Sequence, residues 1–362
     1  MAGNISSRLA GLALSTAVLA SLASPSAALT NQEIAMLSGP DREKILIEGA
    51  KKEGNVVWYS TMRGEVATKP ITEAFRKKYP FIDIKFIQLN SSGIMQRAMA
   101  ERDAGKVTVD VMAASAADSL GPTGVAMAFV SPEAPELPPE ASDPDNMYVS
   151  LRLAWNITAW NTTLISSADA PKTYEALLDP KYKGKLAWSD SQASGAPRFI
   201  THIRAMMGEE KALEFLKKLQ TQNMRTVSGN SGAVVGQLLQ GEFPIVVGFS
   251  GTVVATQKTK GAPVDGTCPD PCMTRASSVA LMNKAPNPHA AMLLIDFLLD
   301  KEGGQQMLSN VGYIPIHPDV PTIDKLNFID PRKLGVGQLL LTVPRENEMN
   351  AKSTDMYKAM FR

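Results

Sequence analysis

The sequence predicts an α/β protein of two lobes, each a mostly parallel sheet flanked by helices. Three observations predict it. Residues 55–59, 81–87 and 107–112 are β-prone runs, separated by the helical stripes Ile71, Ala74, Phe75, Lys78 and Ile94, Met95, Ala98, Met99. The same strand-and-helix rhythm resumes after residue 185. The chain, at 362 residues, is longer than one core of ordinary size. Strands alternating with helices of this length imply βαβ units and a parallel sheet covered by helices.

Taken in order, the first 28 residues read as a secretory signal peptide. Residues 9–22 form an apolar run of 14, too short to span a bilayer comfortably. Arg8 precedes the run, and Ser26, Ala27 and Ala28 supply small residues for a cut after Ala28. No cysteine follows it, so a lipid anchor is not expected. Removal takes away Arg8 alone and leaves 36 basic against 36 acidic residues. A balanced chain gives no reason to propose nucleic acid or an anionic membrane as partner. Apolar residues at 44% and charged residues at 20% suit a soluble globular protein.

Residues 41–53 form a helix with Ile45, Leu46, Gly49 and Ala50 on one face, leading to the first strand. Residues 131–145 hold five prolines and read as a surface connection leaving the first lobe. Residues 148–164 alternate Val149, Leu151, Leu153, Trp155 and Ile157, a strand crossing into the second lobe. There, residues 185–188 are a strand, and Pro197 opens a helix buried through Phe199, Ile200, Ile203, Met206 and Met207. A helix through Leu213, Leu216 and Leu219, another through Leu238 and Leu239, and strands at 243–249 and 278–282 follow. The apolar stretch 288–299 is a helix, with 312–316 beyond it. The expected lobes are residues 29–150 with about 275–310, and residues about 151–274 with 311–362.

In such sheets ligands sit beyond the carboxyl ends of the strands. In the first lobe those ends carry Tyr59, Ser60 and Thr61, then Ser91 and Ser92, then Ser115. In the second they carry Asp190, Ser191, Ser194 and Gly195, then Asn230 and Ser231, then Phe249 and Ser250. Hydroxyls, glycines and helix starts replace carboxylates, and free N–H groups at a helix start suit an anion. Serine is also the ordinary helix cap, so each position has a purely structural reading beside the ligand reading. Arg63, Arg198 and Arg275 offer charge. Asp190 leaves two roles open, a turn cap or a partner for a cationic part of a ligand. Tyr59, Trp155, Trp160 and Trp188 could stack on a ring, although packing suits the tryptophans better. Cys268 and Cys272, bracketing Pro-Asp-Pro in an exported chain, are expected to form a local disulfide. His202, His289 and His317 lie far apart and read as ordinary core or surface residues, so no metal and no cofactor is expected.

The order of several motifs resembles the periplasmic substrate-binding proteins of ABC importers. They are residues 57–61, 73–80, 100–101 and 106–111, then 160–162, 180–185 and 312–315. Within that superfamily the chain looks most similar to the group holding ferric-ion and thiamine-binding proteins. The resemblance implies the two-lobed type II periplasmic binding protein fold, with hinge strands between lobes that close on a small molecule. It also implies a monomer that meets a membrane permease transiently and does no chemistry. Ferric-binding members use two adjacent tyrosines where this chain has Phe249 and Ser250, and none of its seven tyrosines are adjacent. Ferric iron needs hard anionic oxygens, and these loops lack them. The expected solute is therefore a small oxyanion-bearing molecule such as a phosphonate, phosphate ester or carboxylate. Thiamine, a polyamine or a ferric chelate is the alternative within the fold, and a secreted hydrolase the alternative outside it. No nucleophile elbow, zinc-protease motif, P-loop or dinucleotide fingerprint is present. Mass spectrometry of protein recovered from the periplasm should show an N-terminus created by cleavage near Ala28. An intact Met1 terminus would refute the cleavage.

Overall fold

A computed structural model describes residue 1 and residues 29–362, apart from 116, 192–194, 230 and 342. The side chains of residues 66, 92, 118, 343 and 344 are also outside the description. The expected signal peptide, and the site candidates Ser194, Asn230 and the Ser92 side chain, therefore lie outside the described residues.

The chain opens with a short capped helix, α1 (Asn31–Ala35), and then α2 (Arg42–Glu53), which stops at Gly54 with a left-handed φ of 69°. β1 (Asn55–Ser60), α3 (Lys69–Lys78), β2 (Asp83–Gln88), α4 (Ser91–Asp103) and β3 (Val111–Ala114) follow. β1 pairs in parallel with both β2 and β3, as its βαβ pattern requires. The third strand starts later than its β-prone run suggests. Glu101 accepts the Thr108 N–H at 2.8 Å, which diverts the chain before Val111 from the ladder.

After β4 (Ala126–Met127) the proline-rich segment stays on the first core. Leu137 and Ala141 are buried in it, so this stretch covers the lobe instead of leaving it. β5 (Val149–Asn161) is the 13-residue strand that leaves. β6 (Leu186–Ser189), α5 (Ala196–Met207), α6 (Glu209–Gln220), β7 (Arg225–Val227), α7 (Ser231–Gln240) and β8 (Ile245–Ser250) build the second half, with β6 parallel to β7 and β8. α8 (Gly251–Thr259) and β9 (Val264–Thr267) lead to β10 (Cys272–Met282), which returns to the first half. α9 (Pro288–Leu299), α10 (Gln306–Asn310), β11 (Ile314–Pro315), α11 (Pro331–Leu334), β12 (Gln338–Leu341) and α12 (Val343–Phe361) complete the chain.

The strand order β2-β1-β3-β10-β5-β8-β6-β7 sets three parallel strands at each end. Between them lie β10 and β5, antiparallel to each other from Met273 opposite Asn156 to Val279 opposite Val149. The alternation at 278–282 reveals only the last part of β10. Its earlier residues Thr274, Arg275 and Ser277 are polar, which hides six residues of strand. Cys268 and Cys272 are joined, and their loop is tied down by Asp270 Oδ1 accepting the Gly337 N–H at 2.9 Å.

Buried residues gather into one cluster around α9 and β1–β3 and two around β5–β8. In the first, the completely buried Asp110 carboxylate accepts the Val57 N–H at 2.8 Å, the Asn287 N–H at 2.7 Å and the Asn287 Nδ2 at 3.0 Å. It thereby fastens β1 and the start of α9 to the turn before β3. The Glu53 carboxylate caps α9 in a second way, accepting the N–H groups of His289 and Ala290. Replacing Asp110 by Ala removes the acceptor from three donors, two of them in buried bonds, and should cost about 3 kcal/mol. Melting should fall by roughly 5–10 °C, and a change under about 1 °C would show that this hub is not needed.

Candidate functional site

The strand ends of the first half converge, although not every predicted hydroxyl faces the same way. Side chains alternate along β1, so Tyr59 and Ser60 point to opposite faces. Tyr59 is buried under α4, with its hydroxyl donated to Glu101 at 2.8 Å and the Arg97 guanidinium 4.8 Å from its ring. Burial is the main reason its hydroxyl titrates above the ordinary tyrosine value. Ser60 is also fully buried: it donates to the Ala113 carbonyl at 2.8 Å and accepts the Met62 N–H at 3.2 Å. Thr61 is half-buried at the lip. Ser91 and Ser115 share a hydroxyl hydrogen bond of 3.0 Å, which brings the second and third strand ends together. The α4 start is capped by Asn90, whose Oδ1 accepts the Gly93 N–H at 2.7 Å, so asparagine and not serine is the cap. Thr61, Gln88, Leu89, Asn90 and Ser91 line an open concavity of about 430 Å³.

The second half presents its own lip. Ser189 donates to the Gly229 carbonyl at 3.0 Å, and Asp190 accepts from Ser228 Oγ at 2.8 Å. Asp190 also forms an ion pair with Arg362, the last residue, at 2.8 Å. Gly195 is required by close approach, not by backbone angle: a Cβ there would lie 2.2 Å from the Ser189 carbonyl oxygen. That contact folds the start of α5 back onto the end of β6. Ser191 and Ser231 are half-buried at this lip. Ser250 bonds Thr252 Oγ1 at 3.1 Å, while Phe249 is buried in the core and has no part in the surface. Trp155, Trp160 and Trp188 are buried as well, Trp188 with Phe361 edge-on at 4.7 Å, so stacking on a solute is not open to them.

Beside the first lip stands a further candidate that lies on a strand and not in a loop. Arg152 stands on β5, inside an otherwise apolar alternation, and that lone charge was its sequence signal. Its Nη2 donates to Thr61 Oγ1 at 3.2 Å, and its guanidinium lies 4.7 Å over the Tyr313 ring. Among the described residues it has no carboxylate partner. Burial, together with nearby Arg275, holds it below the ordinary arginine value. Register puts Ser277 directly opposite Arg152, with Arg275 two residues along on the same face of β10. The Ser277 hydroxyl and the Arg275 Nε are both buried and, among the described residues, have no hydrogen-bond partner. Arg198, from the first turn of α5, binds the buried Glu346 carboxylate, which also lies 3.3 Å from Arg275. Burial and the neighbouring Arg275 push Arg198 down to about 10. Arg63 is exposed and contributes a backbone N–H to the Tyr313 hydroxyl at 3.4 Å.

The opposite face of the hinge strands is different. Leu153, Trp155, Thr274, Pro315 and Gln338 help line a cavity of about 290 Å³ there, and none of the strand-end candidates lines it. The three histidines are separate: His202 is buried on α5, His289 is bonded to Glu53, and His317 is buried beside Gln305. Among the described residues no group of three His, Cys, Asp or Glu side chains could hold a metal.

Two α/β halves whose strand ends face a shared pair of antiparallel strands define a two-lobed solute-binding fold. The chain belongs to the bacterial extracellular solute-binding protein family, which it matches over residues 71–328. A Salmonella typhi protein provisionally named a 2-aminoethylphosphonate-binding periplasmic protein is 23% identical over 252 residues, 67% of this chain and 72% of that one. The periplasmic binding protein AfuA of Actinobacillus pleuropneumoniae, solved with fructose-6-phosphate, superposes with a TM-score of 0.63 at 22% identity, covering 85% and 98% of the two chains. The Trichodesmium protein IdiA (FutA), solved with iron and citrate, gives 0.71 at 17% identity over 85% and 99%. These likenesses establish the type II periplasmic binding protein fold. Within it, Gly195→Ala should force the β6–α5 turn open. Melting should fall by roughly 4–8 °C for about 2 kcal/mol of strain, and an unchanged melting temperature would show that the turn tolerates a side chain.

Proposed function

We propose that this protein is the periplasmic solute-binding component of an ABC importer that captures a small oxyanion-bearing solute between its lobes. A phosphonate, phosphate ester or carboxylate fits the reading. One observation carries it: Arg152, held at the hinge against Thr61, has a mostly buried guanidinium without a carboxylate among the described residues. A buried cation left unpaired is costly unless an anion arrives to meet it. Residues 29–150 with about 275–310 would form one lobe, and about 151–274 with 311–362 the other. Thr61, Ser91, Ser92 and Ser115 would supply donors from the first lobe. Ser191, Ser194, Asn230 and Ser231 would supply them from the second. The protein turns nothing over in this reading, works as a monomer and passes its solute to a membrane permease. A solute that favours the closed lobes would present the permease with a distinct shape.

The names of relatives support both an oxyanion and iron. The end of β8 favours the oxyanion, since a buried Phe249 and the neutral Ser250 offer ferric iron no anionic oxygen. A cationic solute would need Asp190, which is already paired with Arg362. Thermal-shift assays of the mature protein against phosphonates, sugar phosphates, carboxylates, thiamine, polyamines and ferric citrate test the reading. A solute at about 100 times its dissociation constant should stabilise the protein by roughly 2.7 kcal/mol. Arg152→Gln should weaken that solute by about 1.5–3 kcal/mol. Tight binding of a polyamine or thiamine that survives Arg152→Gln would overturn the reading.

A further inference from the structure

The C-terminal helix α12 is riveted to the second lobe. Thr201 and Ser353 share a hydroxyl bond of 2.8 Å, Arg204 Nη1 donates to the Met349 carbonyl at 2.7 Å, and Arg362 reaches Asp190. Near its start, Asn347 Nδ2 donates to Ser119 Oγ of the first lobe at 3.4 Å. Just ahead of these anchors, in the first turn of α12, stands Glu346, only 4% exposed and set among the arginines of the hinge. One carboxylate oxygen accepts from Arg198. The other lies 3.3 Å from the Arg275 Nε yet makes no hydrogen bond to it, and that buried donor has no hydrogen-bond partner among the described residues. Ser277, 5% exposed, stands on the same face opposite Arg152 in register, its hydroxyl without a partner among the described residues.

We infer that Glu346 is a specificity-determining residue, a built-in carboxylate beside the oxyanion seat of Arg152, Arg275 and Ser277. It keeps Arg198 neutralised and in place while repelling whatever anion comes to the seat. Repulsion between charges grows with their product, so a doubly charged solute is held back about twice as strongly, in free energy, as a singly charged one of the same shape. Glu346 therefore sets how far the site prefers a dianion over a monoanion and keeps the dianion releasable. The inference rests on the oxyanion reading above.

The test compares methyl phosphate, a dianion at about pH 8, with methyl sulfate, its singly charged counterpart. Calorimetry on wild-type protein and on E346Q gives the two affinities. E346Q should bind methyl phosphate about tenfold more tightly and methyl sulfate about threefold, so that the preference for the dianion rises about threefold. A role confined to packing would move both affinities alike. Equal changes, no change, or looser binding of methyl phosphate would overturn the inference while leaving the oxyanion reading intact. Wild-type protein that binds neither probe would overturn that reading and the inference with it. If E346Q proves too unstable to purify, refolding in each anion replaces calorimetry. Recovery in methyl phosphate beyond that in methyl sulfate supports the inference, and equal recovery, or none in either, overturns it.

Discussion

The antiparallel pairing of β5 with β10 is the constraint on which the rest of the molecule depends. These two strands join two halves that are otherwise built from local βαβ units, and their ladder runs from Met273 opposite Asn156 to Val279 opposite Val149. Each outer half has a sheet that grows by parallel addition, and each is closed on its inner side by one of the two strands. The pleat then gives the pair two unlike faces. Leu153 and Trp155 with Thr274 form the back, and Arg152 with Arg275 and Ser277 the front. A shift of register by one residue would exchange the faces and bury the arginines in the wrong side. The apolar packing of Trp155 and Leu153 therefore fixes where the charge of the site stands.

That charge is costly to keep. Removing guanidinium groups from water is unfavourable unless hydrogen bonds or counter-charges replace the lost solvation. The protein answers in three ways. Arg198 takes a buried carboxylate, Arg152 takes the Thr61 hydroxyl and the Tyr313 ring face, and Arg275 is left with a carboxylate nearby and one open donor. In the proposed reading, an anion from outside would complete what these groups leave unsatisfied. Stability and function pull against one another here, and the hub at Asp110 and the cap that Glu53 places on α9 belong to the side of stability.

The lips of the cleft show the same division of labour. Several hydroxyls at the strand ends serve the protein itself: Ser60 bridges β1 to β3, and Ser189 and Asp190 tie β6 to the loop after β7. Gly195 is there for a close backbone approach. What remains for a solute is a smaller set than the loops offer by composition, and in the proposed reading the arginines would give that set its preference in sign.

Much of this was legible in the sequence, and the exceptions have physical causes. Local periodicity determined β1, β2, β5, α5, α9 and the α/β class, because one-sided burial imposes a period of 3.6 or 2.0 on the residues of each element. The spacing of Cys268 and Cys272 pointed to their bond. Sequence could also have separated Tyr59 from Ser60, since neighbours on a strand face opposite ways. The start of β10 was hidden because polar residues on its cleft face erase the apolar pattern. Arg152, Arg275 and Glu346 are separated by more than a hundred residues at one step and about seventy at the next. No local pattern relates a strand in the middle of the chain to a helix at its end. Only the pairing of β5 with β10, and the seating of α12 on α5, brings their charges to one place. The sequence by itself thus determined which elements form and what kind of protein they build, while the tertiary structure alone decided where the charge of the site would lie.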